Sequence, residues 1–290
     1  MAQTTKRKPN KRKKKRTYRL SPAAVLLLIL GALALSLALL FRLFFSPKQP
    51  SQNSALEESA PAATQTLPPT TLTAECFGEE NGYKTYQSDT LTAALGIDVS
   101  SHQGWIDWQA VAGSDVDYAM LRAGYRGYTD GETNQDEYFQ YNLESAAAAG
   151  LDVGVYYFSQ ALTEEEAVEE ANHVLDLVSG YSLAYPIYFD WETVEDESAR
   201  TATISGSELT RCALAFCSTI ENAGYDAGVY FNLSTAVQLY QLYDLQEYDF
   251  WLAEYQDIPS YPFAIDMWQY TNSGTVPGIS VPVDLNLSFR

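Results

Sequence analysis

Histidine, cysteine and, beyond the N-terminus, lysine are the scarce residues of this 290-residue chain, which holds two His and three Cys and a single Lys after residue 48, Lys84. Two histidines as widely separated as His102 and His173 build no transition-metal site. EF-hand spacing is absent as well, so no metal is expected. Cys212 and Cys217 stand five apart in a helical pattern and face different ways, and Cys76 stands alone in a linker. They form no disulfide framework and read as buried or incidental thiols. There is no glycine-rich phosphate loop and no Ser or Cys on a recognisable nucleophile elbow, so neither a nucleotide cofactor nor serine- or cysteine-type acyl transfer has support.

Positive charge is missing from most of the chain. From Leu91 onward there are 31 Asp and Glu against five Arg and no Lys. Such a domain is soluble and self-repelling, and it avoids nucleic acid and anionic membrane surfaces. Ten of the 18 cationic residues are gathered instead between Lys6 and Arg19. Directly after them, Ala23 to Phe41 is apolar apart from Ser36, and Leu43-Phe44-Phe45 extends the run beyond Arg42. About 20 such residues span a bilayer as a helix. A basic cluster in front of the span places the N-terminus in the cytoplasm. A cleaved signal peptide is the competing reading, but its apolar region is shorter and ends in a small-x-small site. The expected organisation is a basic cytoplasmic tail over 1–22, a transmembrane signal-anchor helix over 23–45, a Pro/Ser/Thr-rich linker and lead-in over 46–90, and an exported domain over 91–290. The expected location is the cell membrane, single-pass, with the domain outside.

Residues 91–290 alternate between strand and helix patterns. Strands are expected at Gly96–Ser100, Asp117–Gly124, Asp152–Ser159, Pro186–Glu192, Asp226–Asn232, Asp249–Glu254, Ala264–Tyr270 and Val281–Asn286. Helical patterns fill the early gaps at about 105–112, 136–149, 163–179, 206–223 and 233–241, the third opening on a Thr163 N-cap followed by three acids. Connections after the sixth strand are too short for full helices. The fold class is therefore α/β, an irregular TIM-like β/α barrel with a degenerate last third. Alternation along the strands puts Ile97/Val99, Val153/Val155, Ile187/Phe189, Val229/Phe231 and Val281/Val283/Leu285 on the face that meets helices. The other face holds Asp98, Tyr156, Asp190, Glu192, Tyr230 and Asp284, each expected near the C-terminal end of its strand, where barrels of this kind keep their active sites.

The tetrad Phe189-Asp190-Trp191-Glu192 is the most informative of these stretches. On a strand its two carboxyls point the same way, and each disfavours ionisation of the other. One proton donor beside one anionic helper is the arrangement that glycosidic-bond cleavage uses. Alone, Asp-x-Glu is more often an exposed strand end. Four carboxyls converging from three strands favour a site. Tyr156, Tyr230, Trp268 and Tyr270 are expected at the rim as platforms for sugar rings, and Trp191, Trp105, Trp108 and Trp251 in the core. Arg122 either holds one of the carboxylates ionised or is a solvated strand end. His102 is expected at the cleft edge and His173 in solvent.

The pieces Gly96-Ile-Asp-Val-Ser-Ser-His-Gln-Gly104, Leu121-Arg-Ala-Gly-Tyr125, Gly154-Val-Tyr-Tyr-Phe158, Phe189-Asp-Trp-Glu192, Met267-Trp-Gln-Tyr270 and Val283-Asp-Leu-Asn286 follow one another in the order found in glycoside hydrolase family 25. The chain resembles these lysozymes of the Chalaropsis type over about residues 94–290. The resemblance implies an extracellular muramidase that cuts the β-1,4 bond between N-acetylmuramic acid and N-acetylglucosamine, with peptidoglycan strands as partner. It also implies roles. Glu192 resembles the general acid, Asp190 the residue that assists the substrate's 2-acetamido group, and Asp98 and Asp284 the remaining acidic pair. A chitinase-like or glucosaminidase barrel and a non-catalytic glycan-binding module are the alternatives. The chitinase motif would require Asp at the positions of Tyr185 and Tyr188.

Overall fold

The computed structural model describes residues 66–194, 196 and 198–290. The tail, the apolar run over 23–45 and the first part of the linker lie outside the described residues. Among the described residues no helix is long and apolar enough to cross a membrane.

Two short strands come first, β1 (Phe77–Glu80) and β2 (Tyr83–Tyr86). The barrel domain follows as β3 (Ala94–Val99), α1 (Trp108–Ala112), β4 (Tyr118–Arg126), β5 (Thr133–Gln135), α2 (Phe139–Ala149), β6 (Asp152–Phe158), α3 (Glu164–Leu177), β7 (Ile187–Asp190) and α4 (Gly206–Asn222). It ends with β8 (Ala227–Asn232), α5 (Leu233–Gln238), β9 (Asp249–Ala253), β10 (Met267–Gly274) and β11 (Val283–Ser288). The helices start where their sequences dictate. Thr163 Oγ1 accepts the Glu166 N–H at 3.3 Å, and Glu164, Glu165 and Glu166 fill the positive end of α3. Ser205 and Glu208 form a reciprocal capping box on α4. Gly150 closes α2 at φ 90°, a left-handed conformation that glycine adopts without a Cβ clash.

Strands β3, β4, β6, β7, β8, β9, β10 and β11 pair in a ring, which the β3–β4 ladder closes. All eight expected strands are present, with the last two shifted toward the C-terminus. The expected place of Asp284, near the C-terminal end of its strand, is corrected: it is the second residue of β11. β11 runs antiparallel to both β3 and β10, so the barrel is mixed rather than all parallel. The cause is the short β10–β11 link, with no crossover helix to return the chain to the starting end. β7 also stops at Asp190, two residues earlier than expected, although Glu192 keeps the inward alternation.

Two apolar layers follow from strand alternation. The outward set that includes Ile97, Val99, Val153, Val155, Ile187, Phe189, Val229, Phe231, Val283 and Leu285 is buried against the helices, with Trp108 and Trp191. Val281 lies outside β11 and is 40% exposed. Inside the ring, Tyr118, Met120, Tyr188, Trp251 and Met267 fill the lower barrel. Glycine faces a bulky residue across three ladders there: Gly96 opposite Tyr118, Gly154 opposite Met120, and Gly228 opposite Tyr188. A Cβ on any of the three would collide with its neighbour's side chain, so large and small residues interlock and close the floor.

The folded part starts earlier than residue 91. Thr70 N donates to Pro262 O at 3.0 Å, and Ala264 N to Pro68 O at 2.9 Å. Phe77 meets Trp268 edge-on with ring centroids 5.5 Å apart, and Tyr86 meets Phe289 in the same way at 5.5 Å. The β1–β2 hairpin is therefore part of the domain, held by aromatic burial that the polar stretch before it does not offer. His173 is half-buried against the Tyr157 ring rather than solvated. Cys212 and Cys217 are both buried, and burial raises both thiols, Cys212 to about 12, so they are inert.

Candidate active site

The upper barrel opens into a cavity of about 320 Å³ whose lining includes Asp98, Asp190, Glu192 and Asp284. Asp98 is the last residue but one of β3, and Asp190 ends β7. Asp284 stands near the start of β11, but β11 is reversed, so it reaches the same rim and pairs directly with Asp98 in the ladder. Facing positions in such a pair have Cα atoms about 4.5–5.5 Å apart. The expected convergence of the four acids holds, with the antiparallel strand supplying the fourth.

Asp98 is built as an anion. Its Oδ2 accepts from Gln269 Nε2 at 2.9 Å and from Asn286 Nδ2 at 2.8 Å. Neither amide can flip without loss. The Trp251 indole only donates, and it donates to Asn286 Oδ1 at 2.9 Å. Tyr255 Oη and Tyr230 Oη donate to Gln269 Oε1 at 3.0 and 3.4 Å. Burial raises the Asp98 carboxyl, and these two amide bonds hold the rise to about 6.

The negative charge of Asp98 then acts on the other three. Burial, followed by Asp98 and Glu192, pushes Asp284 up to about 8. Burial and then Asp98 raise Glu192. Asp190 is raised well above the carboxylate range by burial, Glu192 and Asp98 in that order, opposed by Arg122. Its Oδ1 is buried with no hydrogen-bond partner among the described residues. Asp284, at about 8, keeps its proton at neutral pH, and Glu192 and Asp190 are shifted in the same direction, the one a general acid requires.

Tyr156, Tyr230 and Arg122 line the cavity with the acids, and His102 and Gln103 complete its edge on the β3 side. Arg122 does not pair with any of the four. Its Nε donates to Asp136 Oδ2 at 2.8 Å and its Nη2 to Ser101 Oγ at 3.0 Å, which fixes the turn after β3. Trp268 and Tyr270 are not at the rim. They alternate with Met267 and Gln269 and point outward, where Trp268 is fully buried and donates to Glu254 O at 2.8 Å, and Tyr270 is 5% exposed beside it. The residue of that motif facing the site is Gln269. Trp251 and Tyr255 also line the cavity. Trp251 is buried as expected, but inside the barrel. Trp105, expected in the core, is 63% exposed.

Among the described residues no cluster of His, Cys, Asp and Glu has the arrangement of a metal site.

The family model for glycosyl hydrolases family 25 matches residues 97–279, a stretch that contains Asp98, Asp190 and Glu192 and stops short of Asp284. An autolytic lysozyme of Clostridium acetobutylicum is 29% identical over 199 residues, covering 66% of this chain and 54% of that protein. The uncharacterized protein YegX of Escherichia coli K12 is 29% identical over 201 residues, covering 66% of this chain and 68% of its own. This chain thus spans about half the length of the first of these relatives. Among solved structures, a family 25 glycosyl hydrolase from Bacillus anthracis superposes with a TM-score of 0.58 at 23% identity, covering 73% of this chain and 95% of that one. The modular autolysin LytC of Streptococcus pneumoniae, in complex with a synthetic peptidoglycan ligand, gives 0.62 at 24%, covering 73% and 51%. With the model spanning most of the barrel and three of the four rim acids inside it, the chain belongs to glycosyl hydrolases family 25.

Proposed function

We propose that this chain is a membrane-anchored muramidase that hydrolyses the β-1,4 bond between N-acetylmuramic acid and N-acetylglucosamine in peptidoglycan. The observation that carries this reading is the inequality of the four rim carboxyls. Asp98 is furnished with two amide donors, and Asp190, Glu192 and Asp284 are pushed toward their protonated forms. Glu192 gives its proton to the glycosidic oxygen as the bond to the anomeric carbon breaks. The 2-acetamido oxygen of the substrate closes on that carbon, with Asp190 holding the amide N–H. Water then adds to the anomeric carbon as its bond to the acetamido oxygen breaks, which frees the 2-acetamido group, and the water loses a proton to Glu192, which restores the acid. The anion of Asp98 favours the positive charge that develops on the sugar. Asp284 supports Asp98 across the ladder. The name of the Clostridium relative, an autolytic lysozyme, supports peptidoglycan as the substrate class.

Glu192→Gln keeps the shape of the side chain and removes the proton donor. It is expected to abolish release of new N-acetylmuramic acid reducing ends from peptidoglycan while the melting temperature stays within a few degrees. Undiminished release would sink the assignment of Glu192. New N-acetylglucosamine ends from the unsubstituted chain would move the activity to a glucosaminidase. Glycan binding with no new ends would make the barrel a binding module.

The basic segment 1–22 and the apolar run 23–45 support an uncleaved anchor that leaves the barrel outside the cell. Alkaline washing of membranes is expected to leave the chain in the pellet. Its appearance in the supernatant at full length would exclude the anchor.

A further inference from the structure

Trp105 is the most exposed aromatic side chain among the described residues, at 63%. An indole carries 150–250 Å² of largely apolar surface, and leaving it in water forgoes the stabilisation that burial would bring. Nothing in the packing of the barrel needs it there. The neighbours Ile106 and Trp108 fill the core below.

Its setting is ordered. Trp105 stacks on Tyr141 with ring centroids 6.3 Å apart and planes inclined by 28°. Tyr141 is fixed in turn, because its hydroxyl donates to Ile106 O at 2.7 Å. Tyr141 is the third residue of α2, the helix that leaves the rim after β4 and β5 and returns the chain to the start of β6. The Trp105–Tyr141 pair therefore stands at the rim, on the same end of the barrel as the four acids. It adjoins the cavity as well. His102 and Gln103 line it, and three residues of chain reach no farther than about 11 Å. Tyr141 stacks against the indole, and most of the Trp105 surface is open to solvent.

We infer that Trp105, backed by Tyr141, is a stacking platform for a sugar ring of the glycan strand, outside the cavity in which the bond is cut. The inference rests on the proposed glycan substrate. A pyranose presents C–H groups on its faces, and these bury against an aromatic plane as other apolar surface does. The domain's excess of acids argues for a neutral N-acetylglucosamine ring of the strand over the carboxylate-bearing muramic acid or an anionic wall polymer. The ring is preorganised on Tyr141, so binding costs little side-chain ordering. A platform at this distance matters only for strands long enough to reach it, and that gives the site its signature.

The test uses the full chain carrying Glu192→Gln, so that binding is read without turnover, and peptide-free glycan strands of defined length. Trp105→Ala is expected to raise the Kd for long strands about tenfold, the factor that corresponds to about 1.4 kcal/mol of stacking. Trp105→Tyr is expected to hold the Kd within about threefold of the unsubstituted residue, since a smaller aromatic face remains. In the chain with Glu192 intact, Trp105→Tyr and Trp105→Ala are both expected to lower the ratio of kcat/KM on long strands to that on short ones, alanine by about tenfold, through KM rather than kcat. An unchanged Kd in Trp105→Ala, a loss independent of strand length, or a tyrosine variant as weak as alanine would overturn the platform. Failure of the muramidase reading looks different: strands bind in a Trp105-dependent way and no bond is cut.

Discussion

Glu170 and Asp190 are both buried carboxyls behind the same rim, and the fold treats them in opposite ways. One residue touches both. Ser159 donates its hydroxyl to Glu170 Oε2 at 2.6 Å and its main-chain N–H to Asp190 O at 2.7 Å. Glu170, on α3, also receives Arg126 Nε at 2.7 Å. Arg126 is itself 4% exposed and spends its other donors on Glu169, Glu166 O and Gly131 O. Burial raises Glu170 to about 7, and Ser159 and Arg126 are what stop it rising further. Asp190 has no such cation in contact and an oxygen without a partner among the described residues. The chain can supply a buried carboxyl with full pairing, and does so one strand away. The unpaired state of Asp190 therefore belongs to the site and its chemistry rather than to a lack of means.

The larger effect tests the paired member. Arg126→Met leaves Glu170 buried beside Ser159 with its cation gone, and removal of one partner of a buried pair costs about 3–5 kcal/mol. The melting temperature is expected to fall by about 10 °C. Glu170→Gln in the same chain is expected to recover a large part of that loss, because the stranded charge is then removed. A fall of no more than about 2 °C, the behaviour of a surface pair, would mean that Glu170 takes up a proton at no cost, and the contrast with Asp190 would disappear.

The parts of this arrangement that the sequence exposed are those carried by strand alternation. Asp98, Asp190, Glu192, Tyr156 and Tyr230 fall on the inner face because apolar residues on either side of them need helices to pack against. Trp268 and Tyr270 are expected at the rim from the stacking of sugars on aromatic rings, and strand parity runs against that expectation. Counting from Met267 and Gln269 places them outside, and Gln269 would have been found as the donor to Asp98. Asp284 is expected at the rim as a residue near the C-terminal end of its strand. It is there because β11 is reversed, which residue alternation cannot report. The Arg126–Glu170 pair had no local signal, since its partners lie 44 positions apart and meet only when α3 docks on β4. Trp105 is expected in the core because large aromatic side chains are mostly buried, and nothing local in the sequence marks it as exposed. In the lead-in over 74–90 the sequence suggests one short strand at most, and the structure holds two, paired as a hairpin.

The smaller effect concerns the unpaired cluster and shows in the pH dependence of stability. Asp98, Asp190, Glu192 and Asp284 all have raised carboxyls in the folded chain. A folded state that binds protons more tightly than the unfolded one loses stability as pH rises from the unfolded pKa to the folded pKa. For Asp284 that window runs from about 4, where the unfolded carboxyl titrates, to about 8. Its contribution is thus most favourable below pH 4 and fully lost above pH 8. Asp284→Asn removes the penalty and is expected to stabilise the domain at pH 8 by about 1–2 kcal/mol, a rise of about 3–6 °C in melting temperature. At pH 4 the two chains are expected to melt together. The general repulsion among the acids also favours low pH, so an exposed acid such as Glu247 serves as the control: Glu247→Gln removes the same charge without the burial. If Glu247→Gln and Asp284→Asn raise the pH 8 melting temperature equally, the penalty is spread over the whole surface. If Asp284→Asn alone raises it, and activity falls in the same variant, then the strain that lowers stability is the one that keeps protons at the rim.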